Sequence, residues 1–236
     1  MRGKRPIYAD TYARRHRALI VSILVVALVV IAGGAWWWRH KNPRPSTSRY
    51  PFMGVRVDQS LGALNASTLQ AGGATFVYLK ATQGASFVDD NFATNYARAV
   101  GLTVGVYHYF SFDSTPQAQA TNFIDHVQGD IGTLPVGIYL TAYTTPPKRL
   151  AQKVKTFVAL VQQHYACSVV LMGTPKMLAR VQAVAPASPR WVISAKRPSN
   201  GQFWEYADAK LPHNAAEQTY PSAVFTGTEA AFKQLQ

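Results

Sequence analysis

Residues 18–38 form a run of 21 positions without a charged side chain. At a rise of ~1.5 Å per residue, a helix of that length matches a hydrocarbon core of ~30 Å. The run constrains the chain before any other feature does: it predicts one membrane-crossing helix followed by a single large folded unit. Arg2, Lys4, Arg5, Arg14, Arg15 and Arg17 precede it, and Trp36, Trp37 and Trp38 close it. This basic flank and interfacial aromatic anchor predict a single-pass cell-membrane protein with a cytoplasmic N-terminus and an extracellular C-terminal domain. Arg39, Lys41, Arg44 and Arg49 on the far side reduce that charge asymmetry. The small residues Ala32, Gly33, Gly34 and Ala35 leave a cleaved signal peptide as the competing reading. Its apolar region would span only ~7 to 15 residues, so the length of the run favours an uncleaved anchor.

The formal net charge of +13 is unevenly held: residues 1–49 carry +9 and residues 50–236 carry +4. Basicity concentrated beside an apolar helix fits membrane topology and anionic headgroups. It supplies no basic face on a folded module, so no nucleic-acid partner is expected. The chain thus reads as a cytoplasmic basic segment (1–17), a transmembrane helix (18–38), a Pro/Ser-rich linker (39–51) and a domain (52–236). The linker reaches at most ~45 Å, which would keep the domain close to the membrane. A lone Cys167 beside an apolar run excludes an intramolecular disulfide and reads as packing. Neither a metal site nor a cofactor is expected.

Within residues 52–236, apolar runs of strand length alternate with stretches of helical period, which predicts βα units and a parallel sheet. Strands are expected at 53–57, 76–80, 104–109, 136–141, 168–172, 191–194 and 202–206. Helices are expected at 91–100 before Gly101, from the Ser114-Thr115-Pro116 cap to about 127, over 148–165, from Thr174-Pro175 to about 184, and from Thr228. In the longest of these, Leu150, Val154, Phe157, Val158 and Val161 share one face.

A set of ordered motifs goes further: Met53-Gly-Val-Arg-Val-Asp58, Phe76-Val-Tyr-Leu-Lys-Ala-Thr-Gln-Gly84, Phe87-Val-Asp-Asp-Asn-Phe92 and Gly101-Leu-Thr-Val-Gly-Val-Tyr-His-Tyr-Phe110. Gln117-Ala-Gln-Ala-Thr-Asn-Phe123, Leu134-Pro-Val-Gly-Ile-Tyr-Leu-Thr141, Trp191-Val-Ile-Ser194 and Phe203-Trp-Glu-Tyr206 follow in order. Together they resemble glycoside hydrolase family 25, the lysozymes that cut the N-acetylmuramic acid to N-acetylglucosamine bond of peptidoglycan. The resemblance covers about residues 52–236. It implies an α/β fold, a TIM-like (β/α) barrel of the family 25 lysozyme type, with active groups at the carboxyl ends of strands.

The resemblance also implies a catalytic set, and this chain departs from it. The family's first-strand Asp falls at Arg56, its fourth-strand Asp-x-Glu at Tyr139 and Thr141, and its last-strand Asp at Phe225. The Glu of Lys-Ala-Thr-Glu-Gly is Gln83 here. Glycoside hydrolysis commonly uses two carboxylates ~5 to 9.5 Å apart, and none of the substituted side chains replaces one near neutral pH. Two relocated acids are candidates. Asp58 shares a strand face with Arg56, and an Arg56–Asp58 ion pair is its simplest reading. Glu205 stands where the family has Gln, with a salt-bridged glutamate as the commoner state. Asp89 and Asp90 read as turn and helix-capping residues, and Glu217 and Glu229 have no suggested partner. Tyr78, Gln83, His108, Tyr139, Trp204 and Tyr206 are expected to line the cleft and contact sugar. For His108 a satisfied core histidine is an equal reading.

Three functions stay open on these residues: a membrane-anchored pseudo-muramidase that binds wall glycan strands or a cell-wall protein partner, an active tethered lysozyme working through Glu205, and a protein-interaction module with a filled cleft.

Overall fold

Strand alternation builds two cores from one sheet, and it is legible strand by strand. In β2 (Phe76–Gln83), Phe76 and Tyr78 join one cluster of buried side chains while Val77, Leu79 and Ala81 join another. The same split divides β4 (Thr103–Tyr109), β5 (Val136–Leu140), β6 (Val169–Gly173) and β7 (Arg190–Ile193), as period-two geometry requires. The computed structural model describes residues 8–41, 45–141, 145–211 and 218–236. Arg2, Lys4 and Arg5, the linker residues Pro43 and Arg44, the side chains of Trp38, Arg39 and Lys41, and Glu217 lie outside the described residues.

The sheet closes. From β1 (Met53–Val57) the order runs through β9 (Thr219–Phe225), β8 (Phe203–Lys210), β7, β6, β5, β4 and β2, and β1 pairs with β2 to complete an eight-stranded barrel. The two-residue β3 (Phe87–Val88) adds a hairpin to the end of β2. All barrel pairings are parallel except those of β9, which runs antiparallel to both β8 and β1.

Helices cover the outer face between the early strands: α2 (Ala66–Ala71), α3 (Phe92–Arg98), α4 (Pro116–Val127), α5 (Leu150–Tyr165) and α6 (Pro175–Val181). Threonine caps with a following proline start α4 and α6: Thr115 accepts from Ala118 N, and Thr174 from Met177 N. The expected face of α5 is the buried one, with Leu150, Val154, Phe157, Val158 and Val161 all buried. The βα rhythm stops after β7: among the described residues no helix separates β7 from β8 or β8 from β9. β9 was absent from the expected strands because Pro221 breaks the pattern of a central strand, and six-residue α2 is too short to show a helical period.

α7 (Glu229–Lys233) seals the amino end of the barrel. Its Phe232 stacks on Phe52 with ring centroids 4.3 Å apart and lies 5.8 Å from Phe76 and 5.2 Å from Phe225. Above this plug, large interior rings face glycines. A Cβ on Gly105 would come within 2.5 Å of the Tyr78 ring, so the tyrosine fills the space a side chain would take. Gly105→Ala is therefore expected to cost about 1–3 kcal/mol by overpacking, read as a lower urea midpoint at unchanged slope.

The other compact unit, residues 1–43, contains α1 (Tyr8–Lys41), a continuous helix of 34 residues. Residues 14–37 of it are long and apolar enough to cross a membrane, and their Leu, Ile and Val side chains are exposed.

Candidate functional site at the carboxyl ends of the strands

Arg56 is the centre of the upper barrel. It follows Gly54 on the inward side of β1, near the strand's carboxyl end, and its side chain is only 11% exposed. The guanidinium reaches across the interior to Glu205 of β8, donating from Nε to Oε2 and from Nη2 to Oε1, both at 3.2 Å. Two tyrosines complete its shell: Nη1 donates to the Tyr107 hydroxyl at 3.2 Å and Nη2 to that of Tyr139 at 3.4 Å. The Tyr139 ring also lies against the cation, 4.2 Å from guanidinium carbon to centroid. Burial on its own would lower the Arg56 pKa, but Tyr107, Glu205 and Tyr139 outweigh it and hold the pKa well above the ordinary value. Burial likewise raises that of Tyr107, so both groups keep their protons at any physiological pH.

Glu205 is fully engaged as an acceptor. Besides the two arginine bonds, Oε2 accepts from the Trp191 indole Nε1 at 2.7 Å. Trp191 in turn is packed between Phe203, stacked at 5.2 Å, and Tyr78, edge-on at 5.1 Å. The fork-to-fork geometry and the indole donor fix the carboxylate in one orientation. Glu205 also borders a small cavity of about 190 Å³ between the end of β7 and the middle of β8, shared with Ser194, Tyr206 and the exposed Asp208.

Asp58 takes no part in this pair. Its side chain accepts from the Ser60 backbone N–H at 2.9 Å and caps the 3-10 turn Gln59–Leu61. The expected Arg56–Asp58 pair is therefore replaced by Arg56–Glu205. Position i+2 on a strand shares a face, but the strand ends at Val57 and the turn claims the carboxylate. Asp89, buried and hydrogen-bonded to the N–H groups of Gln59 and Asn91, holds the neighbouring loop as a turn residue should. Glu229 pairs with Lys233 one helical turn on.

Other expected cleft residues fall elsewhere. Tyr78 is completely buried in the lower interior, donating to Pro135 O at 3.0 Å. His108 points outward from β4, under α4 and α5, stacked on Phe157 at 4.8 Å. Trp204 and Tyr206 also face outward, packed with Tyr50, Met53 and Val224, although Tyr206 reaches the small cavity. Phe225 lies at the amino end among Phe203 and Phe232, because β9 runs antiparallel and its last residue is at the opposite end from Arg56. Continuing the β1–β9 register from Val55↔Ser222 puts Pro221 level with Arg56. Tyr139 is at the site, Thr141 follows the end of β5, and Gln83 sits at the mouth, accepting from Lys80 Nζ at 2.7 Å.

The mouth contains groups that the sequence did not single out. Lys80 lies 4.8 Å from the Phe87 ring centroid and 5.3 Å from that of Tyr109, and Tyr109 is 5.2 Å from Tyr139. Burial lowers the Lys80 pKa, opposed by Asp58 and Asp89. Phe87 is 39% exposed, an aromatic face open to a ligand. Tyr107, Tyr109, Trp191 and Lys80 were all within quoted motifs; inward parity on their strands is the signal that distinguishes them from His108. Among the described residues no cluster of His, Cys, Asp or Glu could hold a metal ion, and Cys167 is half-buried against the outer core.

An eight-stranded α/β barrel with its polar centre at the strand carboxyl ends belongs to the class of barrel proteins whose sites are built on those ends. Comparison with known proteins narrows the class. The sequence model of glycosyl hydrolases family 25 matches residues 57–210. The chain is similar to the structure of a family 25 glycosyl hydrolase from Bacillus anthracis, with 29% identity and a TM-score of 0.73 over 80% of this chain and 95% of that one. A bacterial lysozyme from Streptomyces coelicolor shares the fold at 23% identity and a TM-score of 0.67, covering 78% and 96%. Lysozyme M1 of Streptomyces globisporus is 36% identical over 88 residues, 35% of this chain and 30% of that protein. The chain spans less than two thirds of the length of the first curated relatives it matches. The chain belongs to glycosyl hydrolase family 25.

Proposed function

We propose that this chain is a membrane-anchored, extracytoplasmic family 25 domain that acts at the peptidoglycan cell wall as a catalytically impaired muramidase, binding wall glycan or a partner of the wall machinery. The observation that carries the reading is the Arg56–Glu205 pair. A glycosidase needs a carboxylic acid whose proton faces the leaving oxygen and a second group that supports positive charge at the anomeric carbon. Glu205 accepts three donors and offers no such proton. Arg56 places a fixed cation where an oxocarbenium-like centre would develop, which raises the barrier. Tyr139 and Thr141 replace the family's Asp-x-Glu, and Asp58 is committed to its turn. Neither Pro221 nor Phe225 supplies a last-strand acid.

Binding survives this loss more easily than turnover does. Phe87, Tyr109 and Tyr139 offer rings for sugar faces, while Lys80 and Gln83 offer polar contacts at the same rim. The apolar α1 supports the anchor, and family membership supports action outside the cytoplasm. A second reading rests on the cavity beside Glu205 and Asp208: an active tethered lysozyme using Glu205.

One experiment separates them. The detergent-solubilised chain is incubated with purified peptidoglycan, and soluble muropeptides and sedimented protein are both measured. Retention on the wall without muropeptide release is expected, with retention reduced severalfold in Phe87→Ala. Release that is abolished by Glu205→Gln would establish the active reading instead.

A further inference from the structure

We propose that the outer wall of the barrel around Tyr50 is a docking surface for the anionic headgroups of a lipid bilayer. The last residues of the expected linker are folded onto the barrel. Tyr50 is 5% exposed, and the turn before it is closed by bonds from the Arg49 and Tyr50 N–H groups to Ser46 O at 3.1 and 3.0 Å. Tyr50 meets Trp204 edge-on at 6.2 Å, and the Trp204 indole donates to Ser194 O at 2.8 Å. The segment entering β1 and the loop between β7 and β8 are thereby held together at one place.

That place concentrates positive charge. The guanidinium carbons of Arg49 and Arg197 each lie 5.7 Å from the Tyr50 ring centroid, although 148 residues separate them in sequence. Lys196 is adjacent, all three side chains are exposed, and none forms an ion pair among the described residues. Gathering like charges is unfavourable unless an anion offsets their repulsion. Guanidinium forks suit phosphate oxygens, and an ammonium beside them adds a point charge.

The length of chain identifies the source of that anion. Only residues 42–44 separate Lys41, the end of α1, from Pro45. Four Cα steps span at most ~14 Å, so with α1 in a bilayer this surface stays within reach of the headgroups, where basic side chains bind most strongly.

The inference rests on α1 spanning a bilayer, and the test keeps the two apart. The full chain is reconstituted in nanodiscs of phosphatidylcholine alone or mixed with phosphatidylglycerol. Tryptic cleavage after exposed Lys196 is then measured relative to cleavage after exposed Lys176 on α6 in the same digest. The ratio is expected to fall at least about fivefold in the anionic discs, to recover at high salt, and to fall less in Arg49→Gln. Equal ratios in both discs, with the chain co-purifying, overturn the docking surface alone. A chain that does not co-purify with discs overturns the anchor and the docking surface together. Equal protection by soluble glycerol phosphate in neutral discs overturns the assignment to lipid.

Discussion

Arg56→Ala is expected to destabilise the barrel by about 3–5 kcal/mol, the range for breaking a buried pair by removing one partner. The variant leaves the Glu205 charge, in a side chain 7% exposed, with only the Trp191 indole as donor. It also removes the planar group packed on Tyr139 and hydrogen-bonded to Tyr107. The cost is chiefly that of an orphaned buried charge. Removing both charges, as in Arg56→Met with Glu205→Met, should therefore recover most of the loss, since well-packed apolar replacements of buried pairs are often neutral or stabilising. Urea unfolding of the parent, Arg56→Met, Glu205→Met and the double variant in detergent, followed by near-UV circular dichroism, gives the coupling directly. A loss below about 1 kcal/mol for Arg56→Ala would mean that the pair behaves like a surface salt bridge and that the site is more open to water than its packing implies.

The same pair shows where reading along the chain reaches its limit. Arg56 and Glu205 each stand out individually, one as a cation at an expected acid position and the other as an acid at an expected amide position. Their partnership does not, because they are 149 residues apart and meet only across a closed barrel. Local parity offered Asp58 instead, and parity knows nothing of the turn that takes its carboxylate. Single-residue parity also decided the aromatic lining. In Tyr107-His108-Tyr109 the two tyrosines face inward and the histidine outward, and the outward Trp204 and Tyr206 flank the inward Glu205. Motif resemblance identified these segments but not which alternate residues enter the barrel.

The architecture was more legible. Seven strands alternate strongly enough to be placed within a few residues, and the capped helices between them follow from threonine, proline and glycine signals. The closing strand escaped because Pro221 interrupts it and because it runs antiparallel to β8. That reversal is also why the last-strand position assigned to Phe225 fell at the wrong end: counting toward the carboxyl terminus of β9 moves away from the site, not toward it.

His108 is expected to make the barrel acid-labile well above the range of ordinary carboxylate titration. Its ring is completely buried, and burial lowers its pKa from 6.5 to about 4, with Lys80 adding to the effect and the Gln119 hydrogen bond opposing it. The neighbours also fix the tautomer. Gln119 uses Oε1 to accept from Ser111 N and Nε2 to donate to Ser111 O. Oε1 therefore faces His108 Nε2, at 3.0 Å, as an acceptor, which puts the proton on Nε2 and leaves Nδ1 to accept from Thr82 Oγ1 at 2.8 Å. A second proton on Nδ1 would place a full charge in an apolar layer beside Phe157 and Phe123. Because the folded pKa is depressed, the unfolded chain binds more protons between the two values. The contribution is complete above about pH 6.5 and is lost as the pH falls toward and through 4, amounting to about 3 kcal/mol. His108→Phe removes this titration, so the difference in unfolding free energy between it and the parent should change by that amount between neutral pH and pH 4. A difference that stays constant across that interval would show that the imidazole is already protonated in the folded barrel, and that α4 and α5 admit water to it.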